Sequence, residues 1–357
     1  MRILHIITDT DRRGAQVFAG DLGDALGRRN HVVHTVALAP GSRRPPLDVP
    51  VLGNHRRGLT TLRALRTAMD QYDVTVAHGS STLLACAIAG AGPGRRFVYR
   101  QISDSRFWAP TLLRRVRVMA YMRAPDRIVA LSSSARDTLV DYLRVKPGRV
   151  DVVPNGVPKR TFATPTPDER RRSQVHLGLP DGVPMVLYIG ALVPEKGADV
   201  AVHALRELPD IHLAIVGGGP EREHLEHLAA ETAPGRVHFL GELADTVTAY
   251  WACDVVVLPS KGGDSMPATL IEAGLCGVPA VSTDVGAIDE IVLHERTGLI
   301  TEIGSDTELA AALRRLVDDP KLRDRLGTAA QRHCSDHFEI DVVAAAWERT
   351  LCSAMGA

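Results

Sequence analysis

Paired cysteines, long apolar runs and an excess of charge of either sign are all missing from this chain. Its five cysteines, Cys86, Cys253, Cys276, Cys334 and Cys352, are an odd and scattered set without a Cys-x-x-Cys pair. That pattern argues against a zinc or dithiol redox site and fits a reducing, cytoplasmic setting. No stretch of ~20 apolar residues occurs, so no membrane-spanning helix is expected. The opening run Met1–Thr8 carries one positive charge, is too short for a signal peptide and reads as a buried first strand. Lys+Arg and Asp+Glu balance at 42 each, which excludes a global field for nucleic acid or membrane and leaves only local patches. A dinucleotide fingerprint is also wanting: Gly217-Gly218-Gly219-Pro220 lacks the third glycine, and no acid follows at the required distance. A dehydrogenase is disfavoured on that ground.

What the chain does have is alternation. Its 357 residues exceed one ordinary core, since domains run ~100–200 residues. Short apolar runs at Ile3–Ile7, Val32–Ala37, Val74–Ala77, Phe97–Tyr99, Arg127–Leu131 and Val150–Val153 alternate with longer amphipathic stretches, the mark of buried parallel strands in an α/β domain. The stretch Pro154–Pro184, with Pro165, Pro167 and the charged run Asp168–Arg172, reads as a linker entering a polar helix. The rhythm then restarts at Met185–Ile189, His212–Val216, Val237–Leu240, Val255–Leu258 and Ala280–Ser282, with helices such as Glu221–Ala230 and Glu308–Asp318 between. Two doubly wound sheets in tandem are therefore expected, with ligands outside the carboxyl ends of their strands.

Leu258–Ser282 carries the most chemistry: strand, Gly-rich loop, helix, tight turn, strand. Asp264 lies in the loop with Ser265 and Met266. Pro267 suits a first helical turn because it has no N–H to leave unpaired. The N–H groups of Ala268 and Thr269 then form an anion site of the kind that holds a diphosphate. Glu272 follows Asp264 by eight positions, so both carboxylates can face one ligand and bind its diols. On their own the two acids would also suit a cap and a solvated helix residue.

This stretch resembles the two-acid signature of the retaining GT-B glycosyltransferases of family 4, in which two glutamates are separated by seven residues. Asp264 stands where the first glutamate is usual, and Glu272 matches the second. The resemblance implies that Asp264 holds the transferred sugar and Glu272 the ribose. Tyr188–Asp199 is similar to the family's phosphate turn, with Lys196 meeting the diphosphate as a point charge and Ala191 where an arginine is frequent. Ile215–Arg222, containing Gly218, and Val237–Leu243 match the turn and loop that follow, and Val153–Val157, Val285–Val292 and Arg296–Leu299 extend the match.

In the first half, Asp11–Gln16 replaces the family's two glycines with Gly14 alone, preceded by Arg13, which can restore the charge missing at Ala191. His78, at the end of a strand, falls where the family often has a histidine, and packing is the plainer reading of it. Arg100 and Gln101 occupy the neighbourhood of a further family histidine and are expected on the acceptor side. Residues 106–127 interleave Arg114, Arg115, Arg117 and Arg123 with Phe107, Trp108, Leu112, Leu113 and Val116. Such a stretch either packs on the sheet or makes a peripheral contact with an anionic membrane at its inner face.

The resemblance implies a GT-B fold with domains at 1–165 and 166–337, and a helix at 338–357 crossing back onto the first. The apolar period of Ile340, Val343, Ala344 and Trp347 gives that helix one buried face. It also implies metal-independent transfer of a sugar, with retention, from a nucleotide diphosphate sugar to an acceptor, with no cofactor and no nucleic-acid partner. Catalytic candidates are Asp264, Lys196 and His78. An epimerase of the same fold and a non-catalytic sugar-nucleotide binder are the rival readings.

Overall fold

The apolar runs become two separate sheets because the central ones are buried on both faces and must be covered by helices. In the computed structural model, which describes residues 1–42, 46–104, 106 and 109–356, the chain divides into Met1–Val157 with Ile340–Ala357, and Pro158–Glu339. The first unit holds β1 (Arg2–Asp9), β2 (Val32–Ala39), β3 (Val74–His78), β4 (Phe97–Arg100), β5 (Arg127–Ala130) and β6 (Val150–Val152), in the order β2-β1-β3-β4-β5-β6. The second holds β7 (Met185–Ile189), β8 (His212–Val216), β9 (Val237–Gly241), β10 (Val255–Leu258), β11 (Ala280–Thr283) and β12 (Gly298–Thr301), in the order β12-β11-β10-β7-β8-β9. Every pairing within the two sheets is parallel. Strand order reverses between β1 and β3 in one sheet and between β7 and β10 in the other, and such reversal points are where open sheets of this kind bind ligands.

The linker contains the polar helix Pro167–His176, started by a capping box in which Thr166 and Glu169 bond each other's backbone N–H. The division between units falls at 157/158 rather than at 165/166, for a packing reason. Phe162 sets its ring edge-on to Tyr250, and the Ala163 carbonyl accepts from Trp251 Nε1 at 2.7 Å, so both belong with the second unit. β12, which the sequence reading left out of its strands, pairs with β11 from Ala280↔Gly298 to Thr283↔Thr301.

The last helix, Ile340–Met355, lies in the first unit. Its face of Ile340, Val343, Ala344, Trp347 and Leu351 closes a core with Ile3, Phe18, Leu22, Val76, Val98 and Val129. Polar contacts hold its outer edge: Arg28 bonds Asp341 at 2.6 Å, and His31 bonds Glu348 at 2.8 Å.

His5, on β1, is wholly buried and donates from Nδ1 to the Ala19 carbonyl at 3.0 Å. Burial pulls its pKa down to about 4, opposed by the Ala19 bond and reinforced by Arg100, and burial also holds His78 well below the ordinary value of 6.5. The unfolded chain gains these protons as pH falls through 6.5, whereas native His5 takes none until about 4. Native stability is therefore expected to decline as pH falls across that window. Urea unfolding measured from neutral pH down to pH ~4.5 checks this, and an unchanged free energy would show that the imidazoles are not buried as described.

Candidate active site

In the second unit the loops leaving β7 and β10 meet because their strands are neighbours. The turn Pro194–Lys196 is laced to the β10 loop by the backbone: the Glu195 carbonyl accepts from Lys261 N at 2.8 Å and from Gly262 N at 3.3 Å. Gly197, at φ 69°, lies so close to the Pro259 carbonyl that a Cβ there would collide with it. This lacing sets Lys196 Nζ on Asp264 Oδ1, while the Ser260 hydroxyl donates to Asp264 Oδ2. Asp264 is 9% exposed. Behind it, Gly286 at φ 68° abuts the Asp264 carbonyl, and Ala287 N donates to Ser265 O at 3.0 Å.

The helix Ala268–Leu275 begins directly after this loop, with Pro267 at the cap rather than in the first turn and no side chain capping it. Its leading N–H groups, those of Ala268 and Thr269 among them, have no intrahelical acceptor by geometry. Glu272, on the same helix and half-buried, accepts from the buried Tyr250 hydroxyl at 2.6 Å. Burial, then the Glu272 charge, raises the Tyr250 phenol far above its usual range, so Tyr250 acts there as a fixed donor. Gly218, in the turn after β8, accepts from Leu192 N at 3.0 Å, and half-buried Leu243 follows β9. Sequence reading missed Tyr250 and Ser260. A lone tyrosine hydroxyl on the mostly apolar helix Val247–Ala252 was the available signal for the first, and the second stood inside the quoted motif.

The first unit treats its candidates differently. Arg13 donates through Nη2 to Asp9 at 2.6 and 2.8 Å, and Arg56 Nη2 reaches the same carboxylate at 2.6 Å. Burial raises Asp9, but the bonds and charges of Arg13, with the Asp11 amide and Arg56, outweigh it and hold the carboxyl below its usual range. The expectation of metal independence took the chain to have no Asp-x-Asp run, but Asp9-Thr10-Asp11 is one. Asp9 is held as described, and Asp11 Oδ1 accepts from Ser42 N at 2.7 Å. Among the described residues no group of three His, Cys, Asp or Glu could hold a metal ion. Gly14 opens the helix Gly14–Arg28, and a Cβ there would meet no protein atom within 4 Å, so the space it leaves is not filled by the chain.

His78, expected at a cleft edge, is 2% exposed and sits among the rings of His5, Phe18 and Trp347. Arg100 and Gln101, expected on the acceptor side, are buried too. The Arg100 guanidinium lies 3.8 Å from the centre of the Phe18 ring and bonds Asn155, and burial lowers its pKa to about 9. Gln101 Nε2 donates to Ser103 O at 3.0 Å. Neither presents its polar group to solvent, because the helix carrying Phe18 covers one and a local turn engages the other. Of residues 106–127, Phe107 and Trp108 lie outside the described residues. The helix Leu112–Tyr121 leaves Leu112, Leu113 and Val116 largely exposed and buries Val118.

With this geometry in hand, two family models account for both halves of the chain: glycosyltransferase family 4 over residues 12–160 and glycosyl transferases group 1 over residues 169–333. The chain belongs to the group 1 glycosyltransferases of GT-B fold. It is similar to a D-inositol 3-phosphate glycosyltransferase of Kineococcus radiotolerans, 32% identical over 74% of this chain and 62% of that one. It also resembles a GDP-mannose-dependent alpha-(1-6)-phosphatidylinositol monomannoside mannosyltransferase of Mycolicibacterium smegmatis, 29% identical over 78% and 77%. A D-inositol 3-phosphate glycosyltransferase of Stackebrandtia nassauensis is matched over only 50% of its length, so the chain spans about half of some curated relatives. In fold it superposes on Anabaena HepE in complex with UDP-glucose, with a TM-score of 0.88, 22% identity and coverage of 99% and 100%.

Proposed function

We propose that this protein transfers a sugar, with retention at the anomeric carbon, from a nucleotide diphosphate sugar to an acceptor hydroxyl. The carrying observation is the Lys196–Asp264 pair beside the uncapped start of the Ala268 helix, with Glu272 held by Tyr250 further along the same helix. Nucleotide sugars named for the relative and the structural neighbour, GDP-mannose and UDP-glucose, support this donor class. On binding, the diphosphate takes over Lys196 and the helix amides, and Asp264 is released to the sugar hydroxyls. The anomeric C–O bond then breaks, and the departing diphosphate keeps its electron pair. The acceptor oxygen bonds to the same face, and its proton passes to the leaving phosphate oxygen. Fixed cationic and amide groups lower the barrier because they meet charge that grows in the transition state. His78, kept neutral by burial, would orient the acceptor rather than exchange protons with it.

Glu272→Gln is expected to weaken binding of the bare nucleotide diphosphate by about 10- to 150-fold, because one charge-assisted diol contact is worth ~1.5–3 kcal/mol. Asp264→Asn should leave that affinity nearly intact and slow transfer instead. Calorimetric titration and initial rates on both variants decide the matter, and equal losses of nucleotide affinity would defeat this division of roles. Transfer is also expected to persist in EDTA, since Lys196 and helix amides supply the positive charge. Complete loss with EDTA, restored by manganese, would overturn that.

No helix among the described residues is long and apolar enough to cross a membrane. The exposed Leu112, Leu113 and Val116 among Arg114 and Arg117 support a peripheral contact with an anionic surface. Flotation with phosphatidylserine vesicles that is unaffected by Leu112→Ser with Leu113→Ser would count against it.

A further inference from the structure

The stretch through which the chain passes from Val157 to the polar helix Pro167–His176 is pinned to the second unit by successive residues. Phe162 sets its ring edge-on to Tyr250, with centres 5.8 Å apart and planes at 79°. The Ala163 carbonyl accepts from Trp251 Nε1 at 2.7 Å, and Thr164 Oγ1 accepts from Gln331 Nε2 at 2.5 Å. Tyr250 and Trp251 are neighbours on the helix Val247–Ala252, so the linker bears on one short element. A helix of that length is not held by its own backbone bonds and takes its position from tertiary partners.

The linker also holds the far end of that helix. The last carbonyls of a helix have no intrahelical donor. Those of Ala252 and of Cys253 beyond it are met from the linker's own helix, by Gln174 Nε2 at 3.1 Å and by Arg170 Nη1 at 2.9 Å. Between these two anchorages stands Tyr250, wholly buried, whose hydroxyl donates to Glu272 Oε2 at 2.6 Å. That is the length of a charge-assisted O–H···O⁻ bond. In a close-packed interior a buried ring moves only with its backbone and its neighbours. The hydroxyl therefore follows the helix, and the helix follows the linker.

We infer that Phe162 and Tyr250 are positioning residues for nucleotide binding: the seat of the linker on the Val247–Ala252 helix sets where the Tyr250 hydroxyl stands, and so aims Glu272 at the nucleotide. Both act through Glu272, and the inference rests on the reading above that Glu272 holds the nucleotide. The hydroxyl does a second thing, because a donor to a carboxylate favours its ionised form. Cys253 and Cys276 lie near Tyr250, and burial raises both thiols far above their usual range, so they stay neutral. The Glu272 carboxyl is then the neighbour whose titration the hydroxyl governs.

The test is calorimetric titration of the full chain with GDP and with UDP from neutral to acid pH, the tighter binder of the two serving for the variants. Tyr250→Phe is expected to weaken binding about tenfold at neutral pH, the lower end for losing one charged hydrogen bond. It should also raise the pH at which binding is half lost by about one unit relative to wild type, since a tenfold preference for the ionised carboxyl is one unit. Titration of the nucleotide phosphate is common to both proteins and drops out of that difference. Phe162→Leu should weaken binding by about three- to fivefold, within the range of one aromatic pair, and Phe162→Tyr should not. In a Glu272→Gln background Phe162→Leu should cost nothing further. If Phe162→Leu melts below the assay temperature, Trp251→Phe, which removes the bond to Ala163, carries the same expectation. Wild-type affinity in Tyr250→Phe or in Phe162→Leu, with Glu272→Gln weakened, overturns the inference and leaves the nucleotide reading standing. A weakened Tyr250→Phe with an unmoved acid limb would show a packing role alone and overturn it as well. So would a Phe162→Leu loss that persists undiminished without the Glu272 carboxylate. Wild-type affinity in Glu272→Gln, or saturable binding of neither nucleotide, defeats the nucleotide reading itself, and the inference falls with it.

Discussion

Replacing Lys196 by methionine is expected to lower kcat/KM for sugar transfer by about 100- to 1,000-fold, the size seen when one preorganised donor to developing charge is removed. In the free protein this ammonium is the ion partner of Asp264, whose second oxygen is occupied by Ser260. The substitution therefore acts twice. It takes a cation from the departing diphosphate, and it leaves the buried Asp264 with the Ser260 hydroxyl as its side-chain partner. The melting temperature should fall slightly while the rate collapses. Lys196→Arg should not rescue fully, since a planar fork does not occupy the position of a compact ammonium. Rates with whichever nucleotide sugar most stabilises the protein in a thermal-shift panel provide the check. A variant transferring within threefold of wild type would remove Lys196 from the mechanism.

Trp347→Ala should cost ~3–5 kcal/mol of stability, the range for emptying a large aromatic from a core. Trp347 is wholly buried and shares a cluster with Phe18, Val76 and Val129, and its ring lies 6.4 Å from that of His78. Deleting everything from Phe338 onward removes Ile340, Val343 and Leu351 from the same cluster as well, and should leave the first sheet with one face uncovered. Urea unfolding is the measurement for the point variant, and solubility and melting temperature serve for the truncation. A truncated protein with unchanged melting temperature and full transfer rate would show that the helix is dispensable. Nucleotide affinity should survive the deletion better than transfer does, because Lys196 and Glu272 belong to the other unit.

Strand positions were legible because a parallel strand buried on both faces must be apolar along its length. Met185–Ile189, His212–Val216 and Val255–Leu258 stand in the structure with the bounds read from the sequence. β12 escaped because Gly-Leu-Ile-Thr is short and begins with glycine, which weakens a strand and has no side chain to pack. Motif spacing likewise identified Asp264, Glu272 and Lys196 as candidates. It could not say that Lys196 and Asp264 pair with each other, since 68 residues separate them and only the adjacency of β7 and β10 brings their loops together.

Strand ends were where linear reading failed. A polar residue closing a strand, such as Arg100, meets a ligand only if no other element covers it, and His78 too is packed against rings. The cover here is Phe18 and, for His78, Trp347 from the far end of the chain. By itself the sequence determined the two α/β units, the order of the strands along the chain and the acids and lysine of the second unit, because local periodicity and turn chemistry depend on neighbours in sequence. Tertiary structure alone decided which charges are paired, that Tyr250 holds Glu272, and that Asp9 gathers Arg13 and Arg56, because burial and ion pairing depend on neighbours in space.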